Sequence, residues 1–191
     1  MAFSPVIAVC DACILYPFHL RNIIVQTAVD RLFHARWSEQ IHDEWLSNLV
    51  ANVPGLSADH LDTAKRLMNT ALPAATITEY EKHIPAVTLP DPDDRHVVAV
   101  AIEAEASHIL TWNLRDFPIM ALKKHGLVRQ TPDTFLTDLY DLSPQLILGS
   151  LANARRNLSK SAMSAAAFHD MLRGQKLRQL HDRLRGHIGD L

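Results

Sequence analysis

PVIAVCDACIL, residues 5–15, decides the fold. Pro5 to Cys10 form a short unbroken apolar run, the pattern of a strand covered on both faces inside a parallel sheet. Asp11 ends that run at once, so a carboxylate stands where the strand leaves the sheet.

The pattern continues outward from this strand. Leu20 to Phe33 carries apolar residues at helical spacing, including Ile23, Ile24, Ala28 and Leu32. Ser38 is placed to cap a second helix running to Val53, with Ile41, Trp45 and Leu49 as its stripe, and Ser57 opens a third that Pro73 ends. Ala86 to Leu89 reads as a second strand, followed by the turn Pro90-Asp91-Pro92-Asp93-Asp94 and a helix to about Ala106. Ser107 to Trp112 reads as a third strand, Pro118 restarts a short helix, Leu127-Val128 reads as the last strand, and a helix spans Pro132 to Leu142. Strands alternating with helices predict an α/β fold, a central parallel sheet flanked by helices. After Ser143-Pro144 no strand pattern remains. Residues 143–191 are expected to add two or three helices as an all-helical C-terminal extension to a first unit of residues 1–142.

The chain has 191 residues, 48% hydrophobic and 21% charged, enough to bury a core without disulfides. Its longest apolar run, Val97 to Ile102, is too short to span a bilayer, so no membrane partner is expected. Nor does its start have the pattern of a signal peptide: the first basic residue is Arg21, and Asp11 interrupts the early apolar stretch. Cys10 and Cys13 form no disulfide framework, which points to a reducing cytoplasm. Charge is divided unevenly: residues 1–142 carry a net −7 and residues 143–191 a net +5. An acidic body with a basic tail suits a carboxylate site beside a surface that attracts anions.

In an open parallel sheet, ligands sit beyond the carboxyl ends of the strands. Asp11 follows the first strand, Asp94 the second by one turn, and Asp116 the third by four residues, so three separate strands are expected to deliver three acids to one edge. Like charges placed together repel, and a cation is the simplest partner; an all-oxygen set favours Mg²⁺ or Mn²⁺ over zinc. Each acid also has a simpler reading. Asp11 and one of Asp91, Asp93 and Asp94 could cap helices, and Asp116 could close a turn with Asn113. Among the three consecutive candidates Asp94 is favoured, because Val97, Val98 and Ala101 place it on the inward side. No Gly-rich phosphate loop or nucleophile elbow is present, and the eleven histidines show no metal-ligand spacing.

Three segments resemble the PIN domain. Asp11-Ala12-Cys13-Ile14-Leu15 is similar to its opening, Asp94-Arg95-His96-Val97-Val98-Ala99 to its central Asp and apolar helix, and Thr111-Trp112-Asn113-Leu114-Arg115-Asp116-Phe117 to its Thr-x-Asn-x-x-Asp-Phe block. A fourth acid of the family, a Glu on the second helix, corresponds to Glu44 within Ser38 to Trp45; a solvated surface Glu is the alternative. The resemblance covers about residues 5–140.

It implies a Mg²⁺- or Mn²⁺-dependent endoribonuclease of the kind found as VapC toxins, acting on RNA, inhibited by a cognate antitoxin protein, and forming a homodimer. Asp11 and Asp94 would ligate metal, with Glu44 and Asp116 completing the set and Thr111 and Asn113 orienting ligands from behind. Cys13 stands where Asn or Ser is common, so a polar contact near the metal is expected to be lost. Candidate RNA contacts are Arg21, Arg95 and Arg115, together with Arg155, Arg156, Lys160, Arg173, Lys176 and Arg178 of the tail. The competing reading is a catalytically quiet PIN scaffold that binds RNA or a protein without cutting. A structure-specific DNA nuclease would want more basic surface and a longer insertion.

Overall fold

The computed structural model describes residues 5–55 and 57–191. Four short parallel strands form one sheet: β1 (Ile7–Cys10), β2 (His34–Arg36), β3 (His108–Leu110) and β4 (Val128–Gln130), in the order β2-β1-β3-β4. The central register sets Ala8 against His108 and Cys10 against Leu110; on the flanks Ile7 meets His34 and Leu110 meets Gln130. Ala8, Val9 and Cys10 are fully buried, as the uninterrupted apolar run requires.

Helices cover both faces. After β1 come α1 (Ala12–Leu15) and α2 (Phe18–Val29), then α3 (Glu39–Asn52) and α4 (Ala58–Ala71). Ser38 caps α3 by accepting from the Ile41 N–H at 3.2 Å, and Ser57 caps α4 by accepting from the His60 N–H at 3.4 Å. The second half holds α5 (Arg95–Glu103), α6 (Ile119–Lys123) and α7 (Pro132–Leu142).

The second strand differs from the sequence expectation. Residues 80–86 form a 3-10 helix, and 87–89 follow without pairing into the sheet. Pro85 and Pro90 bracket this stretch and offer no N–H, while the Val87 N–H turns back to Ile84 O. The edge beside β1 belongs to His34–Arg36 instead. This strand begins because Arg31 takes a left-handed φ of 62° and ends α2, with the Leu32 N–H returning to Thr27 O. One further bridge, Trp37 to Thr76, continues that edge.

The C-terminal helices α8 (Pro144–Arg156), α9 (Ala165–Gly174) and α10 (Arg178–Arg183) join the same core, through buried Leu151, Phe168, Leu172 and Leu180. Helix α8 lies along α2, where Asn22 donates to Ala154 O at 2.7 Å and Asn153 donates to Asp30. Asp133 of α7 accepts the Gln179 and Leu180 backbone N–H groups at 3.0 and 3.1 Å, anchoring the start of α10.

Candidate active site

The strand order turns back between β1 and β3: the chain moves from β1 to β2 on one side, then returns to build β3 and β4 on the other. In such sheets the crevice for ligands opens at this reversal, beyond the carboxyl ends. Asp11 leaves β1 there, and its backbone N–H donates to Leu110 O at the end of β3. Asp116 ends the single 3-10 turn Leu114–Asp116 that follows β3. Asp94 arrives by another route than expected. No strand precedes it; it stands at the N-terminus of α5, which must start at the carboxyl edge in order to run back and begin parallel β3.

Neither Asp11 nor Asp94 uses its side chain as a helix cap. The local turn is made by Asp91, which accepts the Asp93 N–H. Asp11 is buried, yet its Oδ2 takes all its protein hydrogen bonds: from Thr111 Oγ1 at 2.6 Å and from the Cys13 thiol at 3.0 Å. Oδ1 receives none. Burial, followed by the charges of Asp11, Asp91 and Asp116, pushes the Asp94 carboxyl up to about 6. The three acids therefore feel one another. Arg115 lies 3.6 Å from Asp116 but is 93% exposed, so it neutralises little of this charge. Asp11, Asp94 and Asp116 are the oxygen donors that a hard divalent cation would take.

Glu44 is placed differently. It pairs with buried His96 at 2.8 Å, on the first turn of α5 and two residues beyond Asp94. His96 thus connects the fourth acid to the helix that carries the central one, and its Nδ1 is buried with no partner among the described residues. Its only sequence signal is a polar residue at the start of an otherwise apolar helix face.

Thr111 and Cys13 form the support behind Asp11. Thr111 Oγ1 also accepts the Asn113 backbone N–H at 2.9 Å, while the Cys13 sulfur accepts the Trp112 N–H at 3.3 Å. Asn113 thus contributes through its main chain. The polar contact expected to be lost at position 13 is made by sulfur. Burial and the Asp11 charge push the Cys13 thiol up to about 12, keeping it a neutral donor. Thr111→Val removes the 2.6 Å bond and leaves the Asn113 N–H without its acceptor. It is expected to cost about 1–2 kcal/mol of stability and to weaken divalent-ion affinity about 10- to 100-fold, as read by thermal melting and by Mn²⁺ titration.

Arg21, expected at a phosphate, is engaged elsewhere. Its guanidinium donates to Leu15 O and Tyr16 O at the end of α1 and lies 4.5 Å from the Trp45 ring centre. Arg95 donates to Pro92 O. Among the described residues, the one trio of His, Cys, Asp or Glu with ligand atoms within 4.8 Å of one another is His169, Asp170 and His181, in α9 and α10. Its two rings are stacked 4.0 Å apart and 23° from parallel, so their lone pairs do not converge. The histidines do meet in space, although their spacing in sequence gives no sign of it.

Residues 8–115 match the PIN domain family, and residues 132–186 match the VapC50 C-terminal domain. One curated relative, the "Putative ribonuclease VapC50" of Mycobacterium tuberculosis, is 47% identical over 49 residues, which is 26% of this chain and 29% of that protein. The match thus spans under a third of the relative's length. No solved structure matches the chain. The family match, residues 8–115, covers more than half of the chain, and on that ground the chain belongs to the PIN domain family.

Proposed function

We propose that this protein is a metal-dependent endoribonuclease that hydrolyses RNA phosphodiester bonds as the toxin of a toxin–antitoxin pair. What supports the reading is the placement of Asp11 at the end of β1, Asp116 after β3 and Asp94 at the start of α5, near enough for their charges to act on Asp94, with neither Asp11 nor Asp94 used as a cap. The curated relative's name, a ribonuclease, supports the same activity.

Asp11 and Asp94 would hold Mg²⁺ or Mn²⁺, with Asp116 and Glu44 completing the cluster directly or through water. Such an ion, when bound, supplies an acidified water and neutralises charge on the scissile phosphate. The chain's own part is to fix the carboxylates. Thr111 and Cys13 hold Asp11 through Oδ2, leaving Oδ1 without a protein partner among the described residues, and His96 holds Glu44 beside α5. Cleavage by activated water leaves a 5′-phosphate and a 3′-hydroxyl.

The proposed protein partners are a cognate antitoxin and a second copy of the chain. An apolar groove of about 520 Å³ lies between α2 and α4, lined by Phe18, Val25, Val29, Leu67 and Met68. Among the described residues no helix is long and apolar enough to cross a membrane; the proposed location is the cytoplasm.

Incubating the purified chain with total RNA tests the reading. Discrete products bearing 5′-phosphates are expected with Mg²⁺ or Mn²⁺ and none with chelator. Intact RNA under both metals, with folded protein free of antitoxin, would instead support the non-cutting scaffold.

A further inference from the structure

A carboxylate cluster repels the phosphodiester it is meant to cut, so cations must guide the strand in. Of the three arginines expected to contact RNA, Arg21 and Arg95 are held by carbonyls, while Arg115 is exposed beside Asp116. The C-terminal region supplies another cation. A cleft of about 420 Å³ is lined by Cys13, whose thiol bonds Asp11, by Trp112 and Asn113, and by the turn Gly174-Gln175-Lys176. The Lys176 ammonium sits 5.6 Å from the centre of the Trp112 ring. Lys176, Arg173 and Arg178 are exposed, and none forms an ion pair with an acid among the described residues.

The backbone adds a second observation. Helix α9 ends with the Leu177 N–H bonded to Leu172 O at 2.9 Å, a closure that needs a left-handed residue between them. That residue is Lys176, with a φ of 62°, where glycine would be unstrained. Lys176 shares this left-handed conformation with Arg31, Glu79, Glu105 and Ala162, and of these its side chain is the one that meets the Trp112 ring.

We propose that Lys176, held over the Trp112 ring, is a phosphate contact for single-stranded RNA entering the acid cluster, so that the C-terminal helices form one wall of the substrate cleft. This inference rests on the ribonuclease reading. Trp112 is a positioning residue: its ring face attracts the ammonium and fixes where the charge stands. Arg173 and Arg178 extend the same basic edge along the strand's path.

The test is binding of a mixed-sequence single-stranded RNA oligonucleotide to the full chain across a salt series, in an Asp94→Asn background that cannot cut. Losing one phosphate contact should reduce the slope of log affinity against log salt by about 0.7, which is about fivefold in affinity near 0.1 M salt. Lys176→Gln should show this loss and Lys176→Arg should restore it. Trp112→Ala should lose as much, and the Trp112→Ala, Lys176→Gln pair should lose no more than either alone. Lys176→Gly suits the positive φ and should melt higher while losing the same affinity, which separates the contact from the fold. With Asp94 intact, Lys176→Gln should raise KM and leave kcat unchanged. Unchanged affinity and slope in both Lys176→Gln and Lys176→Gly would overturn the contact. If wild type cuts RNA while these variants bind normally, the contact alone falls. If binding depends on Lys176 but wild type never cuts, the ribonuclease reading falls and the contact stands.

Discussion

Asp94→Asn is expected to lower RNA cleavage on the order of a thousandfold without unfolding the protein. A divalent ion contributes several kcal/mol of charge stabilisation to phosphodiester hydrolysis, and about 4 kcal/mol corresponds to that factor. The variant keeps the shape of the side chain but loses the charge at the centre of the cluster. Its stability should move the other way. The Asp94 carboxyl titrates at about 6 in the folded, metal-free chain, against an ordinary value of 3.8. A carboxyl whose pKa rises on folding favours the folded state when protonated. That contribution is complete below the ordinary value and is lost as pH rises through about 6. Asn stays neutral throughout, so the metal-free variant should melt no lower than wild type near neutral pH and follow a flatter stability profile between pH 4 and 7. Initial cleavage rates and circular-dichroism melting across that range check both halves.

Asp133→Ala should produce the largest loss of stability among the polar substitutions. The carboxylate is buried and accepts two backbone N–H groups at the start of α10, those of Gln179 and Leu180. Hydrogen bonds to a charged group contribute about 1.5–3 kcal/mol each, and removing the acceptor leaves both donors unsatisfied. A net loss of about 3 kcal/mol is expected, which for a domain of this size lowers Tm by about 6–12 °C. The effect should concentrate in the C-terminal helices, where amide hydrogen exchange should accelerate before it does in β1 and β3. Because the α9–α10 turn carries Lys176, RNA affinity should fall with it.

These effects differ in how far the sequence announces them. The first strand and its terminal acid are legible because a strand covered on both faces needs an unbroken apolar run, and a carboxylate after it has few reasons to be there. The second strand is not legible. His34-Ala35-Arg36 has one apolar residue in three and is defined by the edge of β1 and by the left-handed Arg31, neither of which periodicity reports. Val87-Thr88-Leu89 has the better strand composition, yet its flanking prolines keep it out of the sheet.

The acids stand out in the sequence as a set because four separate segments carry them in the order of the PIN pattern. Their surroundings were not. Arg21 looked like a free cation because sequence cannot show the carbonyls at the end of α1 that hold it. The Glu44–His96 pair joins positions 52 residues apart, and Lys176 meets Trp112 across 64, so only the folded chain brings either pair together. Cys13 departs from the common residue type at its position while keeping that residue's hydrogen-bonding task, which is a matter of geometry that residue identity does not state.

The most direct test of the central claim, that these acids gather a divalent cation, is a Mn²⁺ titration of the metal-free chain followed by electron paramagnetic resonance, with wild type beside Asp94→Asn. Wild type should show saturable binding near neutral pH that weakens as pH falls through about 6, where Asp94 takes up its proton, and the variant should lose it. Equal saturable binding in both proteins, or none in wild type, would contradict the account.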